Sequence, residues 1–176
     1  MDPSEREKYQ AAIHGDRGAF EMIIRTHSRT LFAISYGILQ NREEAEDVVQ
    51  DSLVKAWKTR WRVRDPEKFP AWLATITRHR AHDTFRRRRT VRLSERVTEP
   101  VEPEPEDRAL DQQLHSALAA LPELHRTALM LRYFEEMDYR TIENTLGLTN
   151  GALRGILGRA LASMREQLRP ALASMD

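Results

Sequence analysis

The stretch that decides the fold of this chain is NREEAEDVVQDSLVKAW, residues 41–57. Its apolar residues recur at steps of three and four, which is the period of one face of an α-helix. Asn41 can cap the first turn of that helix, and the glutamates that follow suit its positive N-terminal end. The stretch therefore predicts a helix with a buried face and an acidic face. The buried positions are Ala45, Val48, Val49, Leu53, Ala56 and Trp57.

The segments on both sides of this stretch also show a helical period. Upstream, an apolar stripe predicts a long helix over residues 16–39. Downstream, Asp65-Pro66 interrupts the pattern and predicts a loop over residues 62–68, and Pro70 fits the first turn of a further helix. That helix runs into four consecutive arginines at 86–89. Its expected buried residues are Trp72, Leu73, Ile76 and Phe85.

A proline-rich acidic segment divides the chain. Residues 98–107, TEPVEPEPED, contain three prolines and five acids, with neither a helical nor a strand period. Such a composition predicts an extended linker. We therefore expect an all-α protein of two small helical domains, residues 1–92 and 110–176, joined by a flexible linker at 93–109.

The part after the linker predicts four shorter helices. Pro122 opens the second of them, and Asp138 can cap the third. Gly147 stands where a left-handed residue ends a helix, and Thr149 can cap the fourth helix. A short helix, a glycine turn and a longer helix form the helix-turn-helix pattern of DNA-binding proteins. A plain helical hairpin is the alternative at this point.

Composition excludes several classes of protein. The absence of cysteine excludes disulfides, thiolate zinc sites and cysteine nucleophiles. No apolar run approaches the roughly 18 residues of a membrane span, and the polar N-terminus does not resemble a secretory signal. We therefore expect a cytoplasmic protein without membrane insertion. The glycines at 151, 155 and 158 have no preceding strand, which argues against a phosphate loop. His79 and His82 lie among arginines, so we expect no metal, no cofactor and no catalytic residue.

The net charge of +1 conceals blocks of opposite sign. Residues 41–51 carry a net charge of −4, residues 52–92 carry +10, residues 93–111 carry −5, and residues 112–176 are neutral. Such blocks indicate separate surfaces for separate partners, although solvated helix faces are the simpler alternative. Aromatic residues are interleaved with the cations of the basic block. This pattern is typical of a surface that neutralises phosphates and stacks on unpaired bases.

Taken together, these motifs resemble a known family. The stretches at 15–20, 41–57, 69–78 and 83–88 resemble the promoter-melting domain of bacterial sigma factors of the extracytoplasmic-function (ECF) class. The stretches at 121–134, 139–142 and 146–148 resemble the C-terminal helix-turn-helix domain of the same factors. The resemblance covers residues 10–168, with the motifs in the family's order.

The resemblance implies a sigma factor that binds core RNA polymerase, recognises the −10 and −35 promoter elements and assists DNA melting, with no enzymatic activity. The expected partners are promoter DNA, the largest-subunit clamp and the flap of core polymerase, and an anti-sigma factor. The linker would enter the polymerase channel. The residues that the family's motifs place at the clamp are Glu43, Glu46, Asp47, Gln50 and Asp51. Those placed at the −10 element are Arg62, Arg64, Lys68, Arg78, His79, Arg80, His82 and Arg86. Those placed at the −35 element are Thr149, Asn150, Arg154, Gly155, Gly158 and Arg159.

Two departures from the family pattern affect these expectations. His79 stands where the family often has asparagine, so the −10 preference can differ. The recognition helix has glycines where the family has larger polar side chains, which predicts weak or unusual −35 recognition. Two rival functions follow: a sigma-derived protein-interaction module, which the glycines keep open, and a stand-alone helix-turn-helix regulator, which the acidic helix disfavours.

Overall fold

The computed structural model describes the backbone of residues 3–94 and 106–173, and the side chains of residues 3–88 and 112–169. Every regular element in these ranges is a helix, as predicted. The elements are α1 (Pro3–Ile13), α2 (Arg17–Leu39), α3 (Arg42–Thr59), two 3₁₀ turns (Arg60–Arg62 and Pro66–Lys68), α4 (Phe69–Ser94), α5 (Glu106–Ala120), α6 (Glu123–Tyr133), α7 (Tyr139–Leu146) and α8 (Asn150–Ala173).

The helix ends follow the local rules read from the sequence. Asn41 accepts a hydrogen bond from the backbone N–H of Glu44 at 2.9 Å, and Asp138 accepts one from Thr141 at 2.9 Å. Gly147 adopts a left-handed φ of 68° and ends α7. Thr149 accepts a hydrogen bond from the Ala152 N–H at 3.3 Å at the start of α8. These caps position the helices of both domains because each satisfies an N–H or carbonyl group that lacks a partner within its helix.

Helices α1 to α4 enclose the core of the first domain. Helix α1 was not predicted, and it contributes Tyr9 and Ala12 to this core. Part of the core is aromatic: the Phe20 and Trp57 rings lie 5.0 Å apart, and the Phe69 and Trp72 rings lie 5.2 Å apart. The buried members are Tyr9, Ala12, Phe20, Ile23, Leu31, Val49, Ala56, Val63, Phe69, Leu73 and Ile76.

The prediction that Phe85 is buried was wrong, since its side chain is 44% exposed. It follows Leu73, Thr77 and Ala81 at steps of four residues. Each such step advances about 40° beyond a full helical turn, so the fourth residue lies at the edge of the buried face. Three residues further along α4, Arg88 bonds to α2 and α3 of the same domain: it donates to the Leu39 carbonyl at 3.4 Å and to the Glu44 carboxylate at 3.2 Å.

The second domain comprises α5 to α8 and packs directly on the first. A small core within it consists of Ala117, Leu118, Leu121, Leu129, Ala160 and Met164. A larger apolar cluster joins the two domains, mainly across α2 and α6 and across α4 and α7. The ends of the predicted linker at 93–109 continue α4 and begin α5. Residues 95–105, which hold most of the acidic linker, lie outside the described residues.

Candidate polymerase and nucleic-acid interfaces

Helix α3 presents one exposed acidic face. Its five members follow a spacing of three and four residues, so they share one side of the helix. The opposite side carries the buried residues Ala45, Val48, Val49, Ser52 and Ala56. All five predicted polymerase-binding residues are exposed and lie together on this acidic face: Glu43, Glu46, Asp47, Gln50 and Asp51.

Two carboxylates of the acidic face are held by neighbouring arginines. Glu46 accepts a hydrogen bond from Arg42 Nε at 2.9 Å, one helical turn away. Asp51 accepts one from Arg80 Nη1 of α4 at 2.8 Å. The second bond links the acidic face to the basic surface, because Arg80 is one of the residues predicted to contact −10 DNA. The two surfaces are therefore adjacent.

A groove of about 430 Å³ runs beside the acidic face. Phe32 and Val49 supply apolar surface within it, and Glu46 and Gln50 of the acidic face line it too. Glu135, from the end of α6, lines the same groove and pairs with Arg29 Nε at 3.3 Å. The second domain therefore reaches the border of the predicted polymerase surface.

The predicted loop at 62–68 is an ordered turn with exposed cations. Val63 and Pro66 are buried and anchor it, and Asp65 accepts the N–H of Glu67 at 3.1 Å. The three predicted DNA contacts of this turn lie on its exposed side. Those contacts are Arg62, Arg64 and Lys68.

Helix α4 carries the other predicted −10 contacts, in two different environments. His79 and Arg86 are exposed. Arg86 donates to Asp83, and this hydrogen bond lowers the pKa of the Asp83 carboxyl below its ordinary value. Arg78 and His82 are half-buried, and both bond to the second domain: Arg78 Nη2 donates to the Thr145 carbonyl at 3.3 Å, and His82 Nε2 lies 3.2 Å from Glu123.

Three residues of the predicted basic block that were not among the predicted −10 contacts also belong to this surface. Lys55 and Arg87 join Arg80, Asp83 and Arg86 around a polar groove of about 510 Å³. Trp61 is 66% exposed, and the Arg62 guanidinium lies 5.4 Å from its ring. An exposed tryptophan beside cations offers a stacking surface for an unpaired base. The sequence indicated that Trp61 is exposed, because this residue adjoins a loop that contains a proline and has few apolar neighbours in the sequence to cover its ring.

The helix-turn-helix consists of α7, the turn at 147–149 and α8. All six predicted −35 residues lie at the exposed start of α8 or just before it, with Gly155 only partly exposed. Asn150 Nδ2 donates to Glu143 at 2.5 Å, and the Arg154 guanidinium lies 5.7 Å from the Tyr139 ring. A Cβ at Gly158 would meet nothing within 4 Å, and one at Gly155 would lie 3.2 Å from Arg159 Nη1. The exposed face at the start of α8 therefore has few protruding side chains beside its glycines, and it carries the cations Arg154 and Arg159.

Among the described residues, no group of three or more histidine or acidic side chains could hold a metal ion. Within the same residues, none of the helices is long and apolar enough to cross a membrane.

An all-helical chain with an acidic helix, a basic aromatic surface and a separate helix-turn-helix defines a transcription factor of the sigma type. Residues 23–91 match the family description Sigma-70 region 2, and residues 111–164 match Sigma-70 region 4. The chain belongs to the ECF class of the sigma-70 family of RNA polymerase sigma factors, which direct transcription initiation at promoters.

Named relatives and solved structures agree with this assignment. The chain is 32% identical to RNA polymerase sigma factor SigV of Bacillus subtilis, over 82% of this chain and 88% of SigV. It is 31% identical to ECF RNA polymerase sigma factor SigE of Mycolicibacterium smegmatis, over 98% of this chain and 71% of SigE. The sigma factor RpoE of Bartonella quintana, solved with the anti-sigma factor NepR, matches with a TM-score of 0.64 and 28% identity over 85% of this chain and 96% of that one.

The fold is also that of CnrH, solved with the cytosolic domain of CnrY. The TM-score is 0.70 at 24% identity, covering 94% of this chain and 97% of that one.

Proposed function

We propose that the acidic face of α3 docks on the clamp of the largest subunit of core RNA polymerase. The proposal is supported by the exposure of all five of its polar residues and by the burial of the opposite side of the helix. A dense row of carboxylates suits a positively charged partner. Such complementarity raises the association rate and sets the register more than it raises affinity.

The basic surface of the first domain is proposed to bind the −10 element. The exposed cations of the 60–68 turn surround Trp61, and the groove lined by Lys55 and Arg80 continues the positive surface along α4. Cations neutralise phosphates, while Trp61 can stack on a base that has left the duplex. Unpairing a base costs a few kcal/mol, which contacts of this kind offset.

The start of α8 is proposed to bind the −35 element with few base contacts. Gly151 and Gly158 have open space around them, so the backbone of α8 can approach DNA closely. The same glycines present no side chain to a base edge, which leaves Arg154, Arg159 and Asn150 for recognition. Specificity at this element is therefore expected to be low, and phosphate contacts to dominate affinity.

The chain is further proposed to be a non-catalytic, cytoplasmic specificity subunit that also contacts the polymerase flap and is held inactive by an anti-sigma factor. Support for the last partner comes from one structural relative, the sigma factor RpoE of Bartonella quintana, which was solved in complex with the anti-sigma factor NepR.

The observation that carries the proposed function is that the acidic face lies beside the basic surface on one domain, where Arg80 bonds to Asp51. Its test is Asp47→Lys, measured as affinity for core polymerase. We expect binding to weaken about tenfold, or ~1.4 kcal/mol, because the variant places a cation in the centre of the face. Glu166→Lys makes the same charge change at an exposed site on α8 and should leave affinity unchanged. Equal affinity for both variants and the wild type would contradict the docking proposal.

A further inference from the structure

Arg60 lies where helix α3 ends and the 60–68 turn begins. Its Nη1 donates to the Trp57 carbonyl at 2.6 Å, and its guanidinium lies 4.0 Å from the centre of the Trp57 ring. A cation at this position suits the negative C-terminal end of the helix, and a guanidinium over an indole ring adds a cation–π attraction. Arg60 is therefore held on α3 at the point from which the turn departs.

Gly15 leaves the space that the Arg60 guanidinium occupies. This glycine follows α1 in the turn to α2, with a left-handed φ of 102° that other residues rarely adopt. A Cβ at Gly15 would lie 2.8 Å from Arg60 Nη2, which is closer than carbon and nitrogen atoms approach without a bond. The turn between α1 and α2 and the end of α3 are therefore fitted to each other through this pair.

The orientation of Arg60 carries an energetic cost. Its Nε is buried and has no hydrogen-bond partner among the described residues. A buried donor without a partner lowers stability, so its presence in a folded chain calls for a reason. The contact with Trp57 supplies one, since the stacked orientation leaves the Nε without access to water. We interpret this orientation as one that fixes the start of the turn.

The residue after Arg60 is Trp61, the exposed aromatic residue of the basic surface. Its Nε1 donates to the Lys58 carbonyl at 3.3 Å. The N–H of Val63 donates to the Arg60 carbonyl at 3.0 Å, which closes the first 3₁₀ turn. The Trp61 ring therefore follows the backbone that Arg60 fixes. A ring that is already in place binds a base more tightly than a mobile one, because less freedom is lost on binding.

Helix α1 also supports the other end of the turn. The Tyr9 ring lies 5.6 Å from the ring of Phe69, which directly follows the turn. Arg6 Nη1 lies 3.6 Å from the Glu67 carboxylate, although an exposed ion pair of this kind adds little stability. Contacts from α1 and from the turn that follows it therefore reach both ends of the 60–68 segment.

We infer that Gly15 and Arg60 are positioning residues for the −10 site: the space beside Gly15 admits Arg60, and Arg60 holds the 60–68 turn so that Trp61 presents its ring to an unpaired base. This inference rests on the proposed function of the basic surface. Neither residue has to touch DNA. The pair therefore governs the part of the affinity that depends on a base, and not the part that depends on phosphates.

Two single-stranded probes separate these two parts of the affinity. One is a short oligo(dT), and the other is an abasic oligomer of the same length, each labelled for fluorescence anisotropy. Stacking on one base raises affinity by about fivefold or more. We expect the full wild-type chain to prefer oligo(dT) by at least about fivefold, and Trp61→Ala to lose that preference.

Gly15→Ala tests the pair without removing a cation. Its methyl group displaces the guanidinium, so we expect the preference for oligo(dT) to fall to about twofold or less, with unchanged affinity for the abasic probe. Arg60→Ala should lose the preference too. Adding Gly15→Ala to it should cost nothing more, because the shortened side chain no longer meets the methyl group. Gly18→Ala, at an exposed position with an ordinary 3.4 Å contact to Asp16, is the matched control and should keep the preference.

Trypsin measures the position of the turn without DNA. Arg62 and Arg64 are exposed, but they lie in an ordered turn, and cleavage after them follows local opening of the backbone. We expect several-fold faster cleavage at both sites in Gly15→Ala and Arg60→Ala, identified by mass spectrometry. Cleavage after Arg140 of α7 should stay unchanged. Circular dichroism verifies that both variants keep their helix content, and Arg60→Ala alone decides if Gly15→Ala does not fold.

The outcomes separate the positioning role from the proposed function. Unchanged cleavage of the turn in the folded variants would overturn the inference. So would faster cleavage combined with a full preference for oligo(dT), because the pair would then be structural only. A wild-type chain that binds both probes equally, while its variants are cleaved faster, would contradict the proposed −10 role of Trp61 and leave the anchoring of the turn by Arg60 established.

Discussion

Arg126 should be one of the most important side chains for the stability of the second domain. It is 8% exposed and donates to the carbonyls of Leu118, Ala119 and Leu121 at 3.0–3.2 Å, besides its bond to Gly37. The carbonyls of Leu118 and Ala119 belong to the last turn of α5, where a helix lacks the next turn's backbone donors, and Leu121 directly follows the helix. Burial lowers the pKa of Arg126, but a guanidinium remains charged and its positive charge suits a helix C-terminus.

The change Arg126→Met removes these donors and keeps most of the apolar stem. Each hydrogen bond to a charged group is worth about 1.5–3 kcal/mol, and the desolvation of the guanidinium offsets part of the total. We expect a loss of ~3 kcal/mol in the free energy of unfolding, or about 150-fold in the equilibrium constant. Arg126→Lys should lose less, because it keeps the charge but cannot reach all the carbonyls.

The measurement is urea unfolding of the full chain, followed by circular dichroism at 222 nm. Arg140→Met, the same substitution at an exposed site in α7, should change stability by less than about 0.5 kcal/mol. If Arg126→Met also shifts stability by less than about 0.5 kcal/mol, water satisfies the freed carbonyls and the reasoning is refuted.

Three other outcomes follow from local features. Burial lowers the pKa of His27, whose Nε2 lies 2.5 Å from Tyr9 Oη, so the folded state binds a proton at this ring less readily than the unfolded chain does. Thermal denaturation should therefore show that the stability of the wild type falls as pH drops below about 6.5, and that the stability of His27→Gln falls less. Arg64→Ala should lower the salt slope of promoter-DNA binding by about one phosphate contact, measured by fluorescence anisotropy between 50 and 200 mM salt, whereas Glu166→Ala should not change it. Gly158→Ala has open space for its methyl group and should raise the unfolding free energy by up to about 1 kcal/mol, whereas an unchanged denaturation midpoint would show that this turn of α8 is frayed.

Local chemistry made much of the fold predictable from sequence. Asn41, Asp138 and Gly147 act through hydrogen bonds or backbone angles within a few residues, so their caps were correctly predicted. The same is true of the loop at 62–68, which Asp65-Pro66 marks. The two faces of α3 were predictable because helical periodicity alone separates its acidic side from its apolar side.

Features that depend on distant parts of the chain were not predictable in this way. Helix α1 lacks a clear apolar period, so its packing against α2 gave no sequence signal. Gly37 alone indicates only a weak point in a helix, and Thr127, against which it packs, is 90 positions away. The bonds of Arg78 and His82 to the second domain are equally non-local. The roles of the candidate DNA and polymerase contacts stay predictions until binding is measured.

Run-off transcription tests the central claim most directly. The full chain would be added to core RNA polymerase with a library of promoter fragments, and transcripts would be sequenced with and without the chain. We expect transcripts that depend on the chain and start downstream of a shared −10-like motif, with a weaker −35-like motif. Co-purification with core without such transcripts would favour a protein-interaction module, and failure to bind core would contradict the account.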